Sequence, residues 1–84
     1  MAASMHVAIV TPQERLYDGE ATEVYARSVE GEIGILPGHQ PALLQLADAP
    51  VRVKDATGEH SFDVHGGFLE FRDNQLTVLA DRAG

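Results

Sequence analysis

Eighty-four residues with 44% hydrophobic and 23% charged content describe one small globular unit. At this length a chain buries only about 60% of the surface its unfolded form exposes, which leaves room for one core and no separate cofactor domain. Thirteen acidic against six basic residues give a net charge of −7, which excludes a nucleic-acid or anionic-lipid surface and favours a positively charged partner in association.

The elements read as short alternating runs broken by turn residues. "MHVAIVT" is apolar and ends at Pro12, which cannot donate to a strand ladder. "ERLYDGE" carries a turn signal at Asp18-Gly19, and "ATEVYARSV" alternates up to Glu30-Gly31. "EIGIL" closes at Pro37-Gly38, a pair suited to a type II turn because proline presets the first central residue and glycine takes the positive φ of the second. "PALLQLADA" has a partial helical face, but it is short and opens and closes near proline, so it reads as a strand. "VRVK" alternates, with Val51 and Val53 inward. "DATGE" is a hairpin loop, and "HSFDVH" sets Phe62 and Val64 on the core face with Ser61, Asp63 and His65 opposite. Gly66-Gly67 interrupts the ladder, "FLEF" resumes it, Asp73-Asn74 turns, and "QLTVLA" is the last run before "ADRAG". About eight to ten short strands with regularly spaced turns predict an all-β fold, a sandwich or barrel, in one unit spanning residues 1–84.

The glycine-rich stretch "GEIGILPGH" is the natural place to look for chemistry. A phosphate loop needs Lys and Ser or Thr after its second glycine, and a dinucleotide loop needs G-x-G-x-x-G between strand and helix; neither is present. With no cysteine, disulfide and thiolate chemistry and cysteine-ligated zinc are excluded as well. Among the histidines, His60 and His65 are five apart and face opposite sides of a straight strand, and no His-x-His pair exists. Asp63 and His65 share a face and read as an ion pair. None of the serines, Ser4, Ser28 or Ser61, sits in a nucleophile elbow. Glu30 and Glu32 read as a solvated or partner-facing edge, since nothing apolar beside them would raise a carboxyl pKa. The residues thus point away from an enzyme and from a cofactor. A small ligand- or metal-binding jelly-roll domain using His39, His60 or His65 is the alternative.

The motifs taken together resemble a family. "VEGEIGILPGHQPALLQL", then "VHGGFLEF" and "LTVLAD", preceded by "VAIVTPQERLYDGEATEV", are similar in order and spacing to the N-terminal domain of the epsilon subunit of F-type ATP synthases, over residues 5 to 83. The resemblance implies a flattened antiparallel β-sandwich of about ten strands. It also implies a non-catalytic rotor subunit in the central stalk, packed on the gamma subunit, resting on the c-ring and supporting proton-coupled ATP synthesis. Its implied place is peripheral, at the cytoplasmic face of the bacterial inner membrane, with membrane association only through the complex. In the family the loop matching Glu30, Gly31, Glu32, Gly34 and His39 faces the polar loops of the c-ring. Glu32 would pair with an arginine there, the two glycines would let the backbones approach, and His39 would hydrogen-bond in the loop or across the contact. Leu43, Leu46, Phe68 and Phe71 are candidates for the gamma face or for the core. Most family members add a C-terminal helical hairpin; this sequence stops where it would start, so inhibition by helix extension and nucleotide binding are not assigned to it.

Overall fold

In the computed structural model, residues 3–84 are described. The first two residues of the expected unit lie outside that range. The described chain is all strand: β1 (Met5–Val10), β2 (Arg15–Ala21), β3 (Glu23–Ser28), β4 (Gly31–Ile35), β5 (Ala42–Gln45), β6 (Ala49–Asp55), β7 (Gly58–His65), β8 (Phe68–Arg72), β9 (Gln75–Leu79) and β10 (Arg82–Ala83). They form two five-stranded sheets. Sheet A has the order β2-β1-β9-β8-β5, and sheet B the order β10-β7-β6-β3-β4.

Alternation decides which face of each strand is buried. Val7 and Ile9 of β1, Leu76 and Val78 of β9, and Leu69 and Phe71 of β8 point inward from sheet A. Val24 and Ala26 of β3, Val51 and Val53 of β6, and Val64 of β7 meet them from sheet B. These residues form one continuous core, and no buried side-chain nitrogen or oxygen among the described residues lacks a hydrogen-bond partner.

The turns follow the local chemistry. Gly38, with φ 84°, takes the third position of a turn closed by the His39 amide donating to the Leu36 carbonyl at 3.0 Å. Asp73 and Asn74 adopt φ of 51° and 58°, the type I′ geometry that matches strand twist in a two-residue hairpin. At Gly67 (φ 104°) a Cβ would lie 2.0 Å from the Leu79 carbonyl oxygen, so only glycine lets β8 leave the bend.

Three details differ from the sequence expectation. Asp18 and Gly19 do not turn: they lie inside β2, opposite Ala8 and Val7 of β1, and the Gly19 position is covered by the Tyr17 ring. The ladders are antiparallel except one, β1 beside β9, which is parallel and joins the first strand to the last hairpin of sheet A. Phe62 lies at the rim of the core, half-buried, its ring edge-on to Tyr17 at 5.9 Å.

Candidate docking surfaces

The nine-residue glycine stretch is a strand with a turn at each end. Glu30 and Gly31 sit in and beside the two-residue β3–β4 turn, whereas His39 follows the Pro37-Gly38 turn beyond the other end of β4. The five residues of β4 span roughly 16 Å at strand rise. Glu30, Gly31 and Glu32 are therefore together at one end of sheet B, and His39 is not with them: the expected single tip is two tips.

Each residue has an identifiable local cause. Ser28 clamps the first turn: its hydroxyl donates to the Gly31 carbonyl at 2.9 Å and accepts from the Glu30 amide at 3.1 Å. Gly31 adopts φ 134° with nothing within 4 Å of a Cβ, so the backbone demands glycine and crowding does not. Glu32 is exposed on the outer face, with its carboxylate 3.3 Å from the Arg27 guanidinium. Gly34, expected to admit another chain's backbone, has a reason within this chain. A Cβ there would stand 2.9 Å from Cε1 of Tyr25, so this glycine seats the chain's own Tyr25 ring. His39 is half-buried, edge-on to Phe71 with ring centroids 5.9 Å apart, and its Nδ1 donates to the Gln40 carbonyl at 2.6 Å.

The candidates for the gamma face divide. Leu46 (3% exposed) and Phe71 (1%) belong to the core and present nothing to a partner. Leu43 (69%) and Phe68 (52%) are exposed on the outer face of sheet A. Residues three apart on a strand point to opposite faces, so Phe68 and Phe71 could never have served one surface. Leu79 (56% exposed), directly opposite Phe68 in the β8–β9 ladder, completes an apolar stripe with Leu43. Alternation along "QLTVLA" puts Leu79 opposite Val78 and is the signal that would have found it.

A polar cluster ties the two sheets together at one side. The Tyr17 hydroxyl of β2 donates to Asp55 of β6, and the other Asp55 oxygen accepts from the Thr57 hydroxyl at 2.7 Å and lies 3.2 Å from His60 Nε2. Burial, and then the carboxylate it donates to, push the Tyr17 pKa up to about 12. The Thr57 hydroxyl, and then that of Tyr17, hold the Asp55 carboxyl far below the usual range. The remaining histidines are also engaged. His65 donates from Nε2 to the Gly84 carbonyl at 2.7 Å and pairs with Asp48, not with Asp63 as its neighbour on the strand suggested. Among the described residues no three His, Asp or Glu side chains converge as metal ligands, and no helix is long and apolar enough to cross a membrane.

These features define a two-sheet β-sandwich domain with an exposed apolar stripe on one outer face. Residues 4–84 match the family described as "ATP synthase, Delta/Epsilon chain, beta-sandwich domain", and the chain belongs to that family. It is 46% identical over 84 residues to the ATP synthase epsilon chain of Streptomyces avermitilis, covering 99% of this chain and 68% of that one. It is 43% identical over 81 residues to the ATP synthase epsilon chain of Alkalihalophilus pseudofirmus, where 96% of this chain covers 61% of the relative. Among solved structures, a chain of the Euglena gracilis mitochondrial ATP synthase, a complex of OSCP, F1 and c-ring, superposes with a TM-score of 0.89 at 25% identity over 98% of this chain and 53% of that one. A chain from the Tetrahymena thermophila mitochondrial ATP synthase central stalk and c-ring shares the fold, with a TM-score of 0.81 at 18% identity, covering 98% and 66%. The chain thus spans between about half and two-thirds of these relatives' lengths.

Proposed function

We propose that this chain is a central-stalk rotor subunit of a proton-coupled F-type ATP synthase, linking the gamma subunit to the c-ring. It is non-catalytic: it transmits torque by shape and contact, and its residues hold no cofactor. The observation that carries this reading is the exposed apolar stripe of Leu43, Phe68 and Leu79 on sheet A of a chain with this family membership. An isolated small domain gains nothing from such a stripe in water, whereas a permanent partner that covers it gains roughly 25 cal/mol per Å² of apolar area removed from solvent. The stripe is the gamma side.

The β3–β4 turn is the c-ring side. Glu30 and Glu32 present two carboxylates beyond a backbone held by Gly31 and Ser28. The Arg27–Glu32 pair is exposed, and such pairs contribute about 0–1 kcal/mol, so an arginine of the ring can replace Arg27 at little cost. Such a contact fixes register more than it adds affinity. Gly34 and His39 act from behind, by seating Tyr25 and by bracing the Pro37-Gly38 turn on Phe71. The resulting location is peripheral, at the cytoplasmic face of a bacterial inner membrane, reached through the complex.

The test is a pull-down of this chain with the gamma subunit, with and without the c-ring. Retention by gamma at micromolar concentration, strengthened by the ring, is expected. Absence of any gamma affinity for the folded chain overturns the reading.

A further inference from the structure

A two-sheet sandwich has four edge strands, and each exposes backbone donors and acceptors unless it is protected. Three edges here are blunted. β10 is two residues long. β5 is four residues long and follows Pro41 directly. β2 carries Arg15, Asp18 and Glu20, has an irregular register at Ile9/Val10, and is tied across to sheet B by Tyr17. β4 has none of these devices: its sequence is Gly-Glu-Ile-Gly-Ile, with one charge and no proline. Beyond the β3 ladder and the Ser28 hydroxyl on the Gly31 carbonyl, no hydrogen bond reaches its backbone among the described residues. Exposed apolar side chains bracket it: Val29 just before and Leu36 just after.

We propose that the β4 edge accepts an extended strand from the gamma subunit, added antiparallel or parallel to sheet B, with apolar residues against Val29 and Leu36. This rests on the gamma contact proposed above and adds a second, backbone-mediated contact to it. Continuity supports gamma as the donor. The Leu36–Pro41 connection joins β4 to β5, whose Leu43 begins the apolar stripe. The Val29 amide also donates to the Gln45 carbonyl at 3.0 Å, which fastens the end of β3, on its side away from β4, to the end of β5. A partner seated on the stripe reaches β4 by following the Leu36–Pro41 connection. A second copy of this chain fits worse. Pairing β4 with β4 about a two-fold axis sets both Glu32 carboxylates on one face, between two chains that each carry −7. Strand addition places affinity in main-chain hydrogen bonds and specificity in alternate side chains.

Amide hydrogen exchange of the intact chain, free and saturated with purified gamma subunit, tests this. Alternate amides of Gly31–Ile35 are expected to exchange at least about tenfold more slowly in the complex, the signature of one newly paired strand edge. Replacing both Val29→Lys and Leu36→Lys, two exposed positions outside the core, is expected to abolish that protection while leaving the free protein's exchange unchanged. Protection confined to β5, β8 and β9, with β4 unaltered, overturns the strand addition and leaves gamma docking standing. No complex at all refutes both.

Discussion

Phe68 and Phe71 lie three residues apart on β8 and provide a matched pair of perturbations. Phe71 is 1% exposed and Phe68 is 52% exposed. Phe71→Ala removes a fully buried ring and the edge contact to His39, at an expected cost of about 3–5 kcal/mol. For a domain this small each kcal/mol lowers the melting temperature by roughly 4–8 °C, so the variant is expected to melt well below the parent or fail to fold at 37 °C. Phe68→Ala removes a ring that contributes little to the core. Aromatic side chains bury about 200 Å², so covering the exposed half removes about 100 Å² from water, worth about 2.5 kcal/mol. That corresponds to a loss of roughly 60-fold in affinity for gamma, an upper figure because area converts imperfectly to binding energy. Thermal unfolding by circular dichroism and titration calorimetry with gamma read the two effects separately. If Phe68→Ala lowers the melting temperature as far as Phe71→Ala, or leaves gamma affinity untouched, the assignment of the two faces is refuted.

Tyr17 has a folded pKa raised to about 12, so its contribution is fully present below the unfolded value near 10 and is lost as pH rises from about 10 to 12; unfolding midpoints should fall in that window and not in Tyr17→Phe. Asp55 has its folded pKa depressed, so its contribution is present above the unfolded carboxyl value and is lost as pH falls below about 4, which urea titrations at descending pH will read. Gly67→Ala sets a Cβ 2.0 Å from the Leu79 carbonyl at φ 104° and is expected to leave little folded protein in solution, by gel filtration and circular dichroism. Glu32→Arg should keep stability within about 0.5 kcal/mol while weakening coupling in assembled enzyme; unchanged proton-driven synthesis would remove Glu32 from the c-ring contact.

Much of this architecture is legible in the chain because period-two alternation and turn residues report directly on a sandwich. Val51 and Val53, Pro37-Gly38, Asp73-Asn74 and the Gly66-Gly67 break all behave as their chemistry dictates. Asp18-Gly19 does not, because a turn signal is a local preference and pairing with Ala8 and Val7 outweighs it once β1 lies alongside. The parallel β1–β9 ladder is invisible to alternation, which carries no strand direction. Among the candidate contact residues, parity alone shows that Leu43 and Leu46, like Phe68 and Phe71, face opposite ways. Which of each pair is buried depends on how the sheets stack, and that is a property of the whole fold. The separation of Glu32 from His39 needed β4 to be a strand along its length, a reading that the three glycines obscure.

The two outer faces differ in what docking would cost. On sheet B, Glu23 takes the Tyr25 hydroxyl and lies 3.9 Å from the Lys54 amine, Arg27 pairs with Glu32, and the Arg52 guanidinium stacks over Tyr25 at 5.7 Å. These groups line or border a shallow groove of about 440 Å³. Covering them with a protein strips water from several charges whose mutual attraction returns only part of the loss. On sheet A the β5–β8–β9 half offers Leu43, Phe68, Thr77 and Leu79, with a single carboxylate, Glu70, beside them, while His6, Asp18 and Glu20 lie apart on β1 and β2. Desolvation there is favourable almost throughout, so gamma is expected to choose sheet A. Introducing one charge into each face separates the cases. Thr77→Asp should lower gamma affinity at least about tenfold, because it buries a carboxylate without a partner in the stripe. Ser61→Asp, opposite Arg52 on sheet B, should leave affinity unchanged, since the new carboxylate stays in water beside a guanidinium. Equal losses from the two would mean that gamma covers both faces, and the contrast between them would then have no bearing on which way the sandwich docks.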